Sequence, residues 1–211
     1  MAHDYWFEFS KVALAHLLAV ASPGPDFAIV LRQSLRHGRR TALWTSFGVG
    51  TAILLHVTYS LLGIGLILKS SPLAFAVVKY AGAAYVAWLG VQALRAGRRV
   101  ETAPDGNVSR ALPAGAAWLA GFFTNALNPK ATLFFLALFA TVIDPQTPKW
   151  VQAGYGLWMA VATTAWFGFV SIAFTRETVR TAFLRHGHWV DRALGVVFIA
   201  FAVSLALASV R

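Results

Sequence analysis

The chain contains no cysteine. That removes a disulfide framework, a thiol redox carrier and a thiolate metal site from the candidate functions. Charge is scarce too: only 12% of the 211 residues are Asp, Glu, Lys or Arg, and 8 of those are acidic. A phosphate-cradling glycine loop, a zinc-binding helix motif and a Ser, His and acid set are all missing, so neither an enzyme nor a cofactor nor a resident metal is expected. What the chain has instead is apolar length. Hydrophobic residues make up 58% of it and the mean hydropathy is +0.63, which is the composition of an all-α integral membrane protein.

Apolar runs long enough to cross a hydrocarbon core occur at about 6–31, 41–68, 71–94, 114–143, 149–175 and 189–210, which makes six transmembrane helices. The connections are short, so residues 1–211 read as a single transmembrane domain. The charge of +10 does not imply a nucleic-acid partner, because the cations sort by loop. Arg32, Arg36, Arg39 and Arg40 follow span 1. Arg95, Arg98, Arg99 and Arg110 follow span 3, and Arg176, Arg180, Arg185 and Arg192 follow span 5. The opposite ends hold Lys11, Lys69, Lys149 and Arg211. By the positive-inside rule both termini lie outside the cytoplasm, and the basic loops face cytoplasmic membrane lipids. Ala19, Val20 and Ala21 form a small-residue cleavage pattern. The preceding segment carries Asp4 and Glu8 rather than a positive excess, so it is read as a retained span.

Placing Pro25 over Pro129, an offset of 104 residues, aligns "AVASPGPDFAIVL" with "FTNALNPKATLFF" and sets Asp26 opposite Lys130. The halves, about 1–100 and about 110–211, hold three spans each, an odd number, so they cross the bilayer in opposite senses as two inverted three-helix repeats. Pro23, Pro25 and Pro129 break helices 1 and 4. A break in hydrocarbon survives only where protein, water or ligand satisfies the exposed backbone groups. Ser22 or Gly24 can cap the first break with a proline at the first helical position, and Asn128 with Pro129 does the same at the second. Two half-helix N-termini then face inward and offer a site for a carboxylate. Asp26 complements the dipole of its half-helix. Lys130 opposes its own and costs roughly 2.5–3.5 kcal/mol near mid-membrane, so a functional role is expected of it. The structural alternative is an Asp26–Lys130 pair that only holds the halves together.

His16 and His56 lie within spans and are candidates for proton coupling, beside Asp26. Asn125, one turn before Asn128, is a candidate to satisfy broken backbone or contact substrate. Gly48, Ala52, Gly82 and Gly90 suit close helix packing. Trp6, Trp150 and Trp189 suit the membrane interface.

The stretches "SPGPDFAIVLRQSLRHGRRTAL", "VKYAGAAYVAWLGVQALR", "GFFTNALNPKATLFF" and "RALGVVFIAFAVSLAL" resemble the lysine exporter and homoserine/threonine resistance family of amino-acid exporters. The resemblance spans nearly the whole chain and departs from the family pattern at "ALFATVIDPQTP". It implies a six-helix secondary active transporter of the bacterial inner membrane, a possible homodimer, exporting an amino-acid substrate by antiport against protons. Joined to the motifs, it gives Asp26 the substrate ammonium, and gives Lys130 and the half-helix amides the carboxylate. Ser22, Gly24, Asn125 and Asn128 complete the substrate-binding set. A dibasic substrate would call for a second buried acid. None stands out in the sequence, where Asp4 and Glu8 lie at the outer end and the other acids read as loop residues. Neutral amino acids such as threonine, homoserine or branched-chain types are therefore favoured. The alternatives are an exporter of a metal ion or another small organic ion, which Lys130 argues against where the cargo is a cation, and a non-transporting membrane protein.

Overall fold

The computed structural model describes residues 4–70, 72–97 and 111–207. Arg98, Arg99, Arg110 and Arg211, used above to orient the chain, lie outside them. Among the described residues the chain is all-helical, in the order α1 (Tyr5–Ala21), α2 (Pro25–Ser70), α3 (Pro72–Leu94), α4 (Ala114–Ala126), α5 (Pro129–Thr141), α6 (Lys149–Ala173) and α7 (Glu177–Leu207).

Local chemistry sets the ends. Asp4 caps α1, its carboxylate accepting from the backbone N–H groups of Trp6 and Phe7. The helix stops at Ala21 because Ser22 is extended, as a residue before proline tends to be, and Pro25 opens α2. In the second half Leu127 closes α4. Asn128 then caps α5, its side chain accepting from the N–H of Lys130, with Pro129 beside it at the helix start. Helices α2 and α5, like α3 at Pro72, open on a proline and so leave no backbone donor unsatisfied there.

Two expected boundaries are corrected. Residues 32–40, read as a loop after span 1, are helical, and the chain turns at one residue, Gly38, with φ 81° and ψ 172°. This backbone region is essentially reserved for glycine, so two helical segments, 25–37 and 39–70, meet without a loop. No atom lies within 4 Å of a Cβ built at Gly38. Gly38→Ala should therefore act through backbone strain alone and lower stability by about 1–3 kcal/mol, read as a shift in the thermal unfolding of detergent-solubilised protein. The last helix begins at Glu177, well before the expected 189. The segment "TVRTAFLRHGHWVD" is too polar to register as a span, yet it continues the same helix.

The long portion of α2 lies against α4 and α6, α3 lies against α7, and α5 fits between α2 and α3, with α1 on α6. Small residues permit the closest approaches. A Cβ on Gly82 would meet Ala137, and one on Gly195 would meet the Gly90 carbonyl, as expected of helix contacts driven by close packing rather than by expulsion of water. The outward surface is apolar, with Leu62, Leu73, Phe169 and Leu207 exposed, while His16, His56, Thr163, Ser171 and Asn125 are buried. Trp6, Trp150 and Trp189 are all largely exposed. Two segments, Pro25–Gly63 and Lys149–Ala173, are long and apolar enough to cross a membrane by length and composition.

Candidate functional site

The interruptions at 22–24 and 127–128 face one internal cavity of about 40 Å³, enough for a few water molecules. His16, Ser22, Gly24, Asp26, Asn125, Asn128 and Lys130 all line it. His56 does not, and the three prolines shape the chain around it.

Each charged residue serves the interruption in the other half of the chain. Asp26, in the first turn of α2, accepts through Oδ2 from Nδ2 of Asn125 (3.0 Å) and Nδ2 of Asn128 (3.1 Å). Its Oδ1 is buried and has no hydrogen-bond partner. Lys130 extends back from α5 and donates from Nζ to the carbonyl of Ser22 at 3.0 Å. Ser22 is the C-terminal cap of α1. The cation that opposes the dipole of its own helix therefore complements the C-terminal end of another, and this explains how a lysine is tolerated there. The structural alternative of a simple Asp26–Lys130 pair is not the arrangement found: each has its own partners, while Asp26 remains close enough to act on Lys130 electrostatically.

The asparagines do more than fill the breaks. Asn128 uses Oδ1 to cap α5 and Nδ2 to hold Asp26. Asn125 holds Asp26 and in turn faces His56, whose Nε2 lies 3.1 Å from both its backbone carbonyl and its Oδ1. Two acceptors on one ring nitrogen require a hydrogen on Nε2, while Nδ1 shares a hydrogen bond with the Tyr59 hydroxyl. His56 orients Asn125 from behind the cavity. It stacks on Phe135, ring centroids 5.4 Å apart. His16 is in the wall itself: Nε2 is 3.0 Å from the Thr163 hydroxyl, and Nδ1 is buried without a partner.

Several residues escaped the sequence reading. Thr163, Phe134, Phe135 and Phe167 line the cavity, but one threonine and three of sixteen phenylalanines carry no distinguishing signal. The expectation that no second buried acid exists is corrected, since Glu8 and Asp191 are 7% and 5% exposed. Asp191 sits in α7 and acts electrostatically on Lys130. It was missed because it lies at the very start of the expected last span, beside Arg192, and was counted with the basic loop before it. Lys79, not weighed at all, is buried in α3 beside the Tyr80 ring and does not line the cavity.

Two apolar layers flank the cavity. On one side Phe27, Phe174 and Phe183 form an aromatic cluster with centroid separations of 5.5, 5.1 and 4.9 Å. On the other, Val12, Val57, Phe139, Tyr155 and Met159 belong to one continuous apolar core.

The sequence profile of the LysE type translocators matches residues 17–209. The chain belongs to that family. Among its LysE-type relatives, the threonine efflux protein of Escherichia coli (strain K12) is 29% identical over 201 residues, covering 94% of this chain and 97% of the relative. The homoserine/homoserine lactone efflux protein of Salmonella typhimurium is 32% identical over 152 residues, covering 72% and 71%. No solved structure matches. A LysE-type translocator is a membrane-embedded protein, so the exposed leucines, phenylalanines and tryptophans described above face lipid.

Proposed function

We propose that this LysE-type protein is a secondary active exporter of amino acids in the bacterial inner membrane, working by proton antiport on a neutral substrate of the threonine, homoserine or branched-chain type. The observation that carries the reading is the cavity in which a carboxylate oxygen without a partner, on Asp26, and an ammonium, on Lys130, sit at opposite chain interruptions. A zwitterion has matching ends. Its ammonium would take the free Oδ1 of Asp26, and its carboxylate would draw Lys130 away from the Ser22 carbonyl and meet the N–H groups at the start of α5. The names of the threonine and homoserine efflux relatives agree with a small hydroxylated amino acid. Asp191 adds a buried negative charge, but on the side of Lys130, where it offsets that cation rather than adding a second cation site.

The architecture supporting this is six spans in two inverted repeats, with α1 and 25–37 as the halves of span 1 and α4 and α5 as the halves of span 4. At 17, 13 and 13 residues, α1, α4 and α5 reach about 26, 20 and 20 Å, each short of a core of about 30 Å. Opposite orientation of the halves sets α3 against α7 and α2 against α6, one from each half. The termini lie outside, and a homodimer is the expected assembly. In the occluded state the phenylalanine cluster shuts the cytoplasmic side and the apolar core around Val12 shuts the outer side. Rocking of the halves opens one at a time.

The test is counterflow of labelled amino acids in proteoliposomes under an imposed pH gradient of either sign. Saturable uptake that follows the gradient for a neutral amino acid supports exporter and antiport together. Saturable flux indifferent to the gradient removes the antiport, and flux only of a metal or another ion replaces the amino acid.

A further inference from the structure

Outside the cavity, one of the two further buried carboxylates among the described residues, Glu8, has a set of donors of its own. Glu8 lies in the first turn of α1, where a negative charge suits the helix dipole, but its contacts are distant in sequence. Oε2 accepts from the backbone N–H of Asp144 at 2.9 Å, and the Thr147 hydroxyl donates toward both oxygens, at 3.0 and 3.1 Å. Asp144 and Thr147 belong to the α5–α6 turn, the stretch where the sequence departs from the family pattern. The turn is braced from beneath, with Gln152 Nε2 donating to the Thr147 carbonyl at 2.7 Å and Lys149 reaching the Leu61 carbonyl and Gln152 Oε1, each at 3.4 Å. The Tyr155 hydroxyl fastens the same end of α1 by donating to the Tyr5 carbonyl at 3.0 Å.

Position decides what this contact can do. Glu8, Val12 and His16 form the buried face of α1, one turn apart. His16 lines the cavity, Val12 sits in the apolar core above it, and Glu8 closes that core about 12 Å from His16 along the helix. To open the cavity on this side, α1 must leave α6, and the Glu8 contacts are what joins its outer end to the α5–α6 turn. Each of these partners donates to Glu8. Protonating the carboxylate leaves one oxygen to accept from the Asp144 N–H and turns the other into a donor toward the Thr147 hydroxyl, so the charge that strengthens both contacts is lost and the hold on the turn weakens. The ionisable group facing Glu8 directly is Tyr155, which also hydrogen-bonds with it; Tyr5, Lys11 and the cap residue Asp4 lie within about one turn of it along the chain, Asp144 is in the turn and Lys149 at the start of α6. None but Glu8 accepts from the turn's N–H and hydroxyl together.

We propose that Glu8 is a proton-binding latch on the outer gate. Ionised, it holds α1 to the α5–α6 turn and keeps the cavity shut; protonated from the outer medium, it releases the turn and opens the cavity outward. The inference rests on the exporter reading with the α1 N-terminus outside. Glu8 positions the gate and does not touch the substrate.

The cysteine-free chain makes the test direct, because any introduced thiol is the only one. Val12→Cys reports the outer seal; Val170→Cys, buried in one cluster with Phe27 and Phe174, reports the cytoplasmic seal; and Gln146→Cys, exposed in the outer turn, gives the reference rate at each pH. A membrane-impermeant maleimide is applied to intact cells for the outer positions and to inverted vesicles for Val170→Cys. The expected ratio of Val12→Cys to Gln146→Cys labelling rises as external pH falls, by at most about tenfold per pH unit for one proton. In the Glu8→Gln background the ratio is high and flat with pH, and Val170→Cys labelling drops. Thr147→Val raises the ratio while keeping its pH dependence. An unchanged pH response in Glu8→Gln overturns the latch. So does a simultaneous rise at Val12→Cys and Val170→Cys, which marks a loosened fold. Labelling of Gln146→Cys only from the cytoplasmic side overturns the orientation instead. A pH-responsive Val12→Cys in a protein that moves no amino acid keeps the latch and overturns the exporter.

Discussion

Lys130→Gln is expected to insert and fold like the parent protein and to transport nothing measurable. Glutamine can still donate a hydrogen bond to the Ser22 carbonyl, the contact that Lys130 makes at 3.0 Å, so the C-terminus of α1 keeps a partner. What disappears is the charge. If the ammonium receives a substrate carboxylate in a site shielded from water, removing it costs about 2–5 kcal/mol, roughly 30-fold to several-thousand-fold in affinity. Lys130→Ala removes both charge and donor and should lose thermal stability as well, which separates the structural share of the residue from its functional one. Asp26→Asn is the counterpart. An asparagine can still accept from Asn125 or Asn128 and leaves the fold intact, yet it offers no anion to a substrate ammonium. The measurement is counterflow per inserted protein for all three variants, with thermal unfolding alongside. Normal flux through both Lys130→Gln and Asp26→Asn would leave the two residues as cross-braces for the chain interruptions and nothing more.

How the site could be read in advance depends on the range of each interaction. The helix ends beside Pro25 and Pro129 were legible because proline geometry and side-chain capping act within a few residues: Asn128 caps the N–H of Lys130 two positions away. Charge placement was legible as an anomaly, since a lysine in the first turn of an apolar helix breaks a local rule. Its resolution was not legible, because the compensating carbonyl belongs to Ser22, 108 positions earlier. The same holds for His56. Its burial among apolar residues marked it, but its role as the group that turns Asn125 toward Asp26 exists only once α2 and α4 are side by side. Asp191 and Glu8 were passed over for a different reason. Hydropathy averages over a window, so an acid at the edge of an apolar run is counted with the polar residues beside it even when its side chain is buried and, as for Asp191, lies midway along a helix. The turn at Gly38 was hidden in the same way, as a glycine within a basic stretch looks like a loop until its φ is known.

The largest loss of fold should come from Gly48→Val and Gly121→Val, even though neither residue touches the cavity. A Cβ on Gly48 would stand 2.0 Å from the Trp118 carbonyl oxygen, and one on Gly121 would stand 2.0 Å from the Thr45 carbonyl oxygen. Both obstacles are backbone atoms in helices, so no rotamer change relieves them and α2 and α4 must separate. Gly50 differs in degree, because the atom closest to its Cβ is the Thr164 hydroxyl, a side chain that can turn aside, and the nearest backbone atom, the Ala160 carbonyl oxygen, is 2.9 Å away rather than 2.0 Å. Separation of α2 from α4 also has a functional reach. His56 is on α2 and Asn125 on α4, and their 3.1 Å contacts hold the amide that in turn holds Asp26. Overpacking of this kind typically costs 1–3 kcal/mol where side chains can yield, and more is expected where they cannot. Gly48→Val and Gly121→Val should therefore fail to accumulate in the membrane. Gly48→Ala and Gly121→Ala should accumulate at reduced level with weakened substrate affinity, because the helices shift and the Asn125 amide moves with them. Gly50→Ala should cost less than either. The measurement is membrane abundance and unfolding temperature across the five variants. Equal tolerance at all three glycines would mean that α2 and α4 are not in backbone contact, and the route from His56 through Asn125 to Asp26 would go with that contact.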